Sequence, residues 1–297
     1  MAFFPLSPGD TIGVFSPSSY VTQDQLAPGV ALLEQAGFRV FVHPQTFARH
    51  HQSAGTSAEK VAALHALYAD PQIRAVFAAG GGNRALHLLD QIDYNLVKKH
   101  PKPLIGFSDV TSLLNAFWVK TGQEQIHAPV LKLLKSDSAL PHLTALLTGK
   151  PLSYHFDGST AFTPGTAKGP VIGGNLSVFH HLIGTDFMPD TTGAILLLED
   201  INEELSHLDR ALGHLRLLGV FERLSGVIIG GLTDLTDTGS KPFGFSLRDI
   251  LQEHLAPSGI PVALGLPFGH DPLNEPLPIG RTIELEITKT GVKILVP

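Results

Sequence analysis

The feature that most constrains the fold is the alternation of short apolar runs with segments of helical periodicity in the first half of the chain. Runs of this length, rich in β-branched and aromatic residues and separated by helices, are typical of strand-helix-strand units on a parallel sheet. The predicted strands are 11–15, 38–42, 74–79 and 103–107. Thr56, with Glu59 three residues later, predicts a helix start with a capping box. We therefore predict an α/β fold with a doubly wound parallel sheet in the N-terminal half.

The second half of the chain repeats the alternation on a smaller scale. Strands are predicted at 194–199 and 226–232, and the helix between them should end at Gly219. Its apolar face would carry Leu205, Leu208, Leu212 and Leu215.

A change of composition separates the two halves. Residues 136–170 are rich in Ser, Pro, Gly, Thr and Asp, which favours a connection over a core element. We predict a doubly wound domain over 1–150, a linker over 151–168 and a smaller α/β C-terminal domain over 169–297.

Composition excludes several classes of function. The formal net charge is −6 and the chain has no Lys/Arg-rich run, so we expect neither nucleic-acid nor membrane partners. The absence of cysteine excludes disulfides, thiolate nucleophiles and cysteine-ligated zinc. The N-terminal segment lacks the basic region of an export signal, which favours the cytoplasm. The histidines lack the spacing of a metal site, so we expect no bound metal.

Ser108 follows a predicted strand and precedes an amphipathic segment, a position with two interpretations. The serine could cap the helix by accepting hydrogen bonds from its first N–H groups. It could instead be a nucleophile on a tight strand-to-helix turn, with Gly106 allowing close packing beneath it. The second glycine usual in such a turn is missing, because Val110 and Thr111 follow Asp109. The local pattern leaves both interpretations open.

Three other features could contribute chemistry. The glycines at 80–82 form either a structural turn or a loop whose N–H groups stabilise an oxyanion; they lack the spacing of a nucleotide-phosphate loop. His270 lies in a Gly/Pro-rich loop after an apolar strand, an unusual place for a core histidine. Glu199 ends the apolar strand at 194–199, where its carboxylate is either paired and functional or turned to solvent.

Blocks along the whole chain together resemble the serine LD-carboxypeptidase family, the muramoyltetrapeptide carboxypeptidases with the microcin-immunity peptidases as a related branch. In the family's order they are PLIGFSDVTSLLNAF, IHAPV, GGNLSVF, LLLEDINEELSHLDRAL and LPFGHDPLNEPLPIGRTIEL. The resemblance implies a catalytic triad of Ser108, Glu199 and His270. It also implies an oxyanion hole formed by the Asp109 N–H and an N–H of the Gly81–Gly82 loop.

The same resemblance implies an activity. The enzyme would be a serine peptidase without a cofactor, a cytoplasmic homodimer that removes the C-terminal D-alanine from an L,D-linked murein tetrapeptide in cell-wall recycling. One alternative is a microcin-immunity-type peptidase that cleaves an aminoacyl-nucleotide-like toxin. The other is a small-ligand binding protein without catalysis.

Departures from the family pattern fall in loops expected to touch the substrate. Gly81-Gly82-Asn83-Arg84 replaces the usual Gly-Gly-Tyr-Gly, and His127-Ala128-Pro129 replaces His-Gly-Pro. We therefore expect Asn83, Arg84 and His127 to contact substrate. The Arg84 guanidinium could bind the carboxylate of the departing residue, or it could be an ordinary surface residue.

Overall fold

The computed structural model describes residues 5–136, 139–158, 161–237 and 240–297 as a two-sheet α/β protein. The strands are β1 Thr11–Phe15, β2 Arg39–Val42, β3 Ile73–Ala78, β4 Leu104–Gly106, β5 Gln125–His127, β6 Leu152–Asp157, β7 Ala161–Thr163, β8 Gly165–Asn175, β9 Ile195–Ile201, β10 Gly226–Thr233, β11 Val262–Leu264, β12 Leu277–Ile279, β13 Thr282–Ile287 and β14 Gly291–Val296. The helices are α1 Gln23–Gln35, α2 Ser57–Ala69, α3 Tyr94–Lys99, α4 Thr111–Thr121, α5 Ala139–Leu147, α6 Leu176–His180, α7 Leu205–Leu217 and α8 Leu247–Leu255.

The N-terminal sheet has the order β12-β5-β4-β3-β1-β2, in which β1 to β5 are parallel. The chain moves outward from β1 to β2 and then returns to β3 on the other side of β1. In such sheets the strand order reverses at a switch point, and the carboxyl ends of the strands there open a crevice. The doubly wound prediction is confirmed, and it locates the crevice at the ends of β1 and β3.

Strand β12 comes from the C-terminal part of the chain and completes this sheet by pairing antiparallel with β5. The helix start at Thr56 is also as predicted, since its side chain accepts from the Glu59 N–H at 3.3 Å. Helix α7 has the expected apolar face, and Gly219 follows its end with a φ of 65°.

The second sheet has the order β6-β14-β13-β8-β9-β10-β11-β7, with β8 to β11 parallel and the flanking strands antiparallel. Strands β6, β7 and the start of β8 lie within 151–168, where the sequence predicts an irregular linker. In β6 the larger side chains Leu152, Tyr154 and Phe156 alternate with polar ones, a strand pattern that the surrounding turn-forming residues obscure. Residues 159–160 of that range lie outside the described residues.

Hydrogen bonds join helix α4 to strand β8 and hold the two sheets in register. The Asn115 side chain donates to the Gly173 carbonyl at 2.9 Å and accepts from the Gly173 N–H at 3.0 Å. The Thr111 hydroxyl accepts from the Asn175 N–H at 3.0 Å. Since β8 pairs with β9, these bonds relate the helix that follows Ser108 to the strand that carries Glu199.

Two kinds of feature are absent from the described residues, membrane-spanning helices and clusters of metal-binding side chains. None of their helices has both the length and the apolar character needed to cross a bilayer. Nor do these residues bring together three or more His, Cys, Asp or Glu side chains in a way that could hold a metal ion.

Candidate active site

Ser108 occupies a sharp turn between β4 and α4. Its φ is 62°, in the left-handed region that non-glycine residues seldom adopt, and it begins a short 3₁₀ turn that leads into the helix. Gly106 makes the turn possible, because a Cβ there would lie only 2.9 Å from Val110 and 3.1 Å from Ala78. The geometry is that of a nucleophile elbow, in which backbone strain presents the hydroxyl above the sheet.

The Ser108 hydroxyl faces His270. The distance from His270 Nε2 to Ser108 Oγ is 3.2 Å, and from His270 Nδ1 to Glu199 Oε2 it is 2.7 Å. The structure thus brings together three residues that the sequence separates widely, and the serine is engaged by the histidine rather than by the N–H groups of its helix. The distances are within the range that general-base catalysis requires.

Glu199 is completely buried, which rules out the solvent-facing alternative. Burial raises the pKa of its carboxyl, while the hydrogen bond from His270 acts in the opposite direction. Gly269, with a φ of 107°, lets the histidine loop approach, because a Cβ there would lie 2.5 Å from Glu199 Oε2. The second oxygen, Oε1, has no hydrogen-bond partner among the described residues, and the Asn175 side chain acts with His270 to lower the pKa of the carboxyl.

The glycine loop after β3 lies against the Ser108 side chain. A Cβ on Gly81 would be 3.2 Å from Ser108 Oγ, and a Cβ on Gly82 would be 2.1 Å from the Ser19 hydroxyl. A larger residue at Gly82 would therefore collide with Ser19, and one at Gly81 would fill the space beside Ser108. This is the place where the N–H groups of an oxyanion hole would have to lie.

The Asp109 side chain ties this loop to the serine turn. Its Oδ2 accepts from the Ser18 hydroxyl at 2.5 Å and from the Ala85 N–H at 2.8 Å. Burial raises the pKa of Asp109, whereas these hydrogen bonds and the charge of Lys60 lower it. Lys60 is itself only 1% exposed, and burial lowers its pKa to about 8. One carboxylate thus joins the loops that follow β1, β3 and β4.

These elements surround a cleft of about 550 Å³. Gly81, Gly82, Ser108 and His270 line it, and so does Lys132, which sequence analysis did not single out. The cleft opens at the carboxyl ends of the parallel strands, at the switch point of the N-terminal sheet.

The three residues expected to contact substrate, Asn83, Arg84 and His127, do not line the cleft. Asn83 and Arg84 are exposed on the glycine loop but do not line the cleft. His127, in β5, is 0% exposed, and burial lowers its pKa to about 3. The structure therefore does not bring His127 to the cleft surface, because the protein core covers its ring. Substrate contacts by Asn83 and Arg84 stay predictions.

Sequence reasoning missed the Asp109 carboxylate, Ser18, Asn115 and Lys132. Asp109 was considered only for its backbone N–H, and nothing local marks its side chain as the link between three loops. The signal for Asn115 was present, because it and the Gly173–Gly174 pair lie in two of the blocks that carry the family resemblance.

Comparisons with known proteins agree with this fold and geometry. The LD-carboxypeptidase N-terminal domain family matches residues 12–128, and the LD-carboxypeptidase C-terminal domain family matches residues 168–285. The probable murein peptide carboxypeptidase of Bacillus subtilis is 32% identical over 97% of this chain and 92% of its own length. The murein tetrapeptide carboxypeptidase of Pseudomonas aeruginosa is 31% identical over 93% of this chain and 92% of its own length.

A solved structure is similar over the entire chain. The microcin C7 self-immunity protein MccF, in complex with aspartyl sulfamoyl adenosine, superimposes with a TM-score of 0.87 at 26% identity, covering 100% of this chain and 99% of that one. Both domains are thus matched in order by one family and by its relatives. The chain belongs to the LD-carboxypeptidase family.

Proposed function

We propose that the protein is a serine-type LD-carboxypeptidase that removes the C-terminal D-alanine from an L,D-linked murein tetrapeptide. The observation that carries the proposal is the convergence of Ser108, His270 and Glu199 at 3.2 Å and 2.7 Å. The similarity to two murein peptide carboxypeptidases over nearly the whole chain supports this choice of substrate.

The first half of the reaction transfers the peptide to the enzyme. Ser108 Oγ attacks the carbonyl carbon that precedes the D-alanine, and His270 Nε2 takes the hydroxyl proton. Glu199, bonded to Nδ1, fixes the tautomer of His270 and stabilises the imidazolium. The N–H groups of Asp109 and the Gly81–Gly82 loop stabilise the oxyanion. His270 then gives its proton to the departing amine as the C–N bond breaks, which leaves an ester on Ser108.

The second half restores the enzyme. A water molecule gives a proton to His270 Nε2 and attacks the ester carbonyl. The bond between the carbonyl carbon and Ser108 Oγ breaks, and the proton on His270 returns to the serine. The shortened peptide leaves with a new carboxylate. The reaction consumes one water and needs no group beyond the side chains and N–H groups named here.

The proposal includes two properties implied by the family resemblance, a homodimeric state and a cytoplasmic location. Analytical ultracentrifugation and cell fractionation would test them. Both are independent of the chemistry at Ser108.

A microcin-immunity-type activity is the second candidate. The similar MccF structure contains aspartyl sulfamoyl adenosine, and in this chain the partly exposed ring of Tyr20 lines the cleft, where it could stack on a nucleobase. The same triad would cleave an amide in such a compound. Trp118, the sole tryptophan, lies in α4 with its ring against Gly280 instead of in this cleft.

The decisive experiment compares substrates with one enzyme preparation. A fluorophosphonate probe should label Ser108 in the wild type and not in Ser108→Ala, which separates a serine hydrolase from a binding protein. Release of D-alanine from murein tetrapeptide should then exceed release of aspartate from an aspartyl-nucleotide amide. Labelling of Ser108 together with faster release of aspartate than of D-alanine would favour the microcin-type activity. Absence of both labelling and turnover would contradict the enzyme assignment.

A further inference from the structure

Lys132 is a cation on the wall of the cleft that holds Ser108 and His270. We propose that its ammonium group binds the free C-terminal carboxylate of the substrate, and so makes the enzyme an exopeptidase. The inference rests on the proposed function and deepens it, because it names the residue that selects a chain end over an internal peptide bond.

The charge of the cleft is the first argument. Among the residues that the structure describes, no Asp or Glu lines this cleft and Lys132 is its only Lys or Arg. Within the same described residues, the Lys132 ammonium has neither an ion-pair nor a hydrogen-bond partner. The neutral polar side chains Ser19, Gln25 and Gln52 complete the wall. A partly buried cation without a protein counterion complements an anionic group of the ligand.

The second argument is that the backbone of Lys132 is held firmly. Its N–H donates to the Ala79 carbonyl at 3.1 Å, at the end of β3. On the other side the segment packs against α1 at Gly29, where a Cβ would lie 2.2 Å from the Leu131 carbonyl oxygen. The Lys132 stem also covers Gly80, whose Cβ would lie 3.4 Å from Lys132 Cε. The backbone that carries the Lys132 side chain is therefore fixed next to the glycine loop, as a specificity contact requires.

The two sides of His270 differ in charge, and this difference orients the substrate. A second cavity, which shares Phe107, Leu133 and His270 with the cleft, is lined by both Lys135 and Asp271. Its charges balance, whereas the Lys132 side has a single positive charge. The end of the peptide that carries the carboxylate fits the Lys132 side, so the acyl part extends past His270 into the second cavity. This arrangement puts the departing residue beside the glycine loop.

Arg84 is the competing candidate, since it also lies on the glycine loop. Its side chain is exposed and outside the cleft lining, and its φ of 83° belongs to a turn that leads into residues 85–88. Lys132 satisfies both requirements of the role, a free charge and a place in the wall.

The kinetic test uses two substrates, a murein tetrapeptide and the same peptide with its C-terminus amidated. Wild type should prefer the free carboxylate. Lys132→Met should lower kcat/KM for the free carboxylate by about 10- to 100-fold, the value of one charge-assisted hydrogen bond, and leave the amide rate unchanged. Lys132→Arg should retain most of the preference. Lys135→Met, a control for loss of positive charge in the same segment, should keep the preference ratio of the wild type. A larger loss of preference in Arg84→Met than in Lys132→Met would overturn the inference.

A binding measurement separates this inference from the proposed function. Calorimetry with Ser108→Ala and with Ser108→Ala/Lys132→Met compares both peptides without turnover. A tenfold or greater loss of affinity for the free carboxylate alone supports the role of Lys132, even if the wild type proves not to hydrolyse the peptide. Equal affinities in the two variants, or absence of tetrapeptide binding to Ser108→Ala, overturn it. Turnover by the wild type is judged separately and bears only on the proposed function.

Discussion

Replacing Glu199 with Gln should separate catalysis from stability. The Glu199 oxygen lies 2.7 Å from His270 Nδ1, so the charge centres of the two groups are about 4 Å apart. At an effective dielectric constant near 20, unit charges at that distance attract by about 4 kcal/mol. Loss of this attraction when His270 becomes charged corresponds to about 10³-fold in kcat. The amide can also favour the wrong tautomer, so we expect a total loss of 10³- to 10⁴-fold.

The same substitution should not destabilise the fold. Burial raises the pKa of Glu199 above its ordinary value of 4.5. A carboxyl with a raised folded-state pKa contributes stability that is present below its unfolded pKa and is lost as the pH rises through the folded pKa. The wild-type protein therefore loses stability as the pH rises, whereas the variant, whose Gln side chain does not titrate, has no such loss. The free energy of unfolding of Glu199→Gln, relative to wild type, should therefore increase as the pH rises through the folded-state pKa of Glu199.

The assay combines steady-state release of D-alanine with urea unfolding between pH 4 and pH 8. Glu204→Gln is the matched control, because Glu204 lies five residues along the chain with its side chain 42% exposed; its activity should stay within about twofold of wild type, as is usual for surface substitutions. A Glu199→Gln enzyme within tenfold of the wild-type kcat would refute the assigned role. A large loss of both stability and activity would show that the residue is mainly structural.

Three further predictions concern other residues. Ser108→Ala should retain the fold and lose turnover by about 10⁶-fold; near-normal release of D-alanine would contradict this. Asp109→Asn should loosen the three loops around the site, because a neutral amide oxygen is a weaker acceptor than a carboxylate for the Ser18 hydroxyl and the Ala85 N–H. Its kcat should fall while KM changes little, as stopped-flow kinetics would show; a change in KM alone would argue against a role in positioning the loop. Burial lowers the pKa of Lys60 from 10.5 to about 8, so its share of the stability is present above pH 10.5 and lost as the pH falls through 8. In urea titrations, the free energy of unfolding of wild type relative to Lys60→Met should increase as the pH rises through that range. A difference that does not change with pH would contradict the prediction.

Six strands of the two sheets, β1 to β4, β9 and β10, could be predicted from the sequence, because each is a short apolar run between turn residues, whereas β5 and β8 were not predicted. Strand β1 was predicted as residues 11–15 and spans Thr11–Phe15, and β9 and β10 differ from prediction by one or two residues. Strand β6 was missed for a physical reason. Its one-sided burial gives a mixed pattern that resembles a linker when Gly, Ser and Pro lie on both sides.

The grouping of the triad did not follow from local pattern. Ser108 and His270 are 162 residues apart. Ser108 follows a strand of the N-terminal sheet, Glu199 lies in β9 of the second sheet, and His270 lies in the loop between β11 and β12. Periodicity can say that Ser108 follows a strand and that Glu199 ends one, but only the order of several family blocks related them. Lys132 was missed for a similar reason. Its position against the glycine loop depends on contacts with β3 and α1, which no local sequence pattern indicates.

The interface between the two sheets also determines the geometry of the site, through residues that do not take part in the chemistry. Asn115 uses both the donor and the acceptor of its amide on the backbone of Gly173, so it fixes one register between α4 and β8. Strand β8 in turn pairs with β9 so that Asn175 lies opposite Glu199. A shift of one residue in this ladder would turn the Glu199 side chain to the other face of the sheet. The helix that follows the nucleophile therefore also determines where the acid lies, which explains how a site divided between two sheets can hold hydrogen-bond distances.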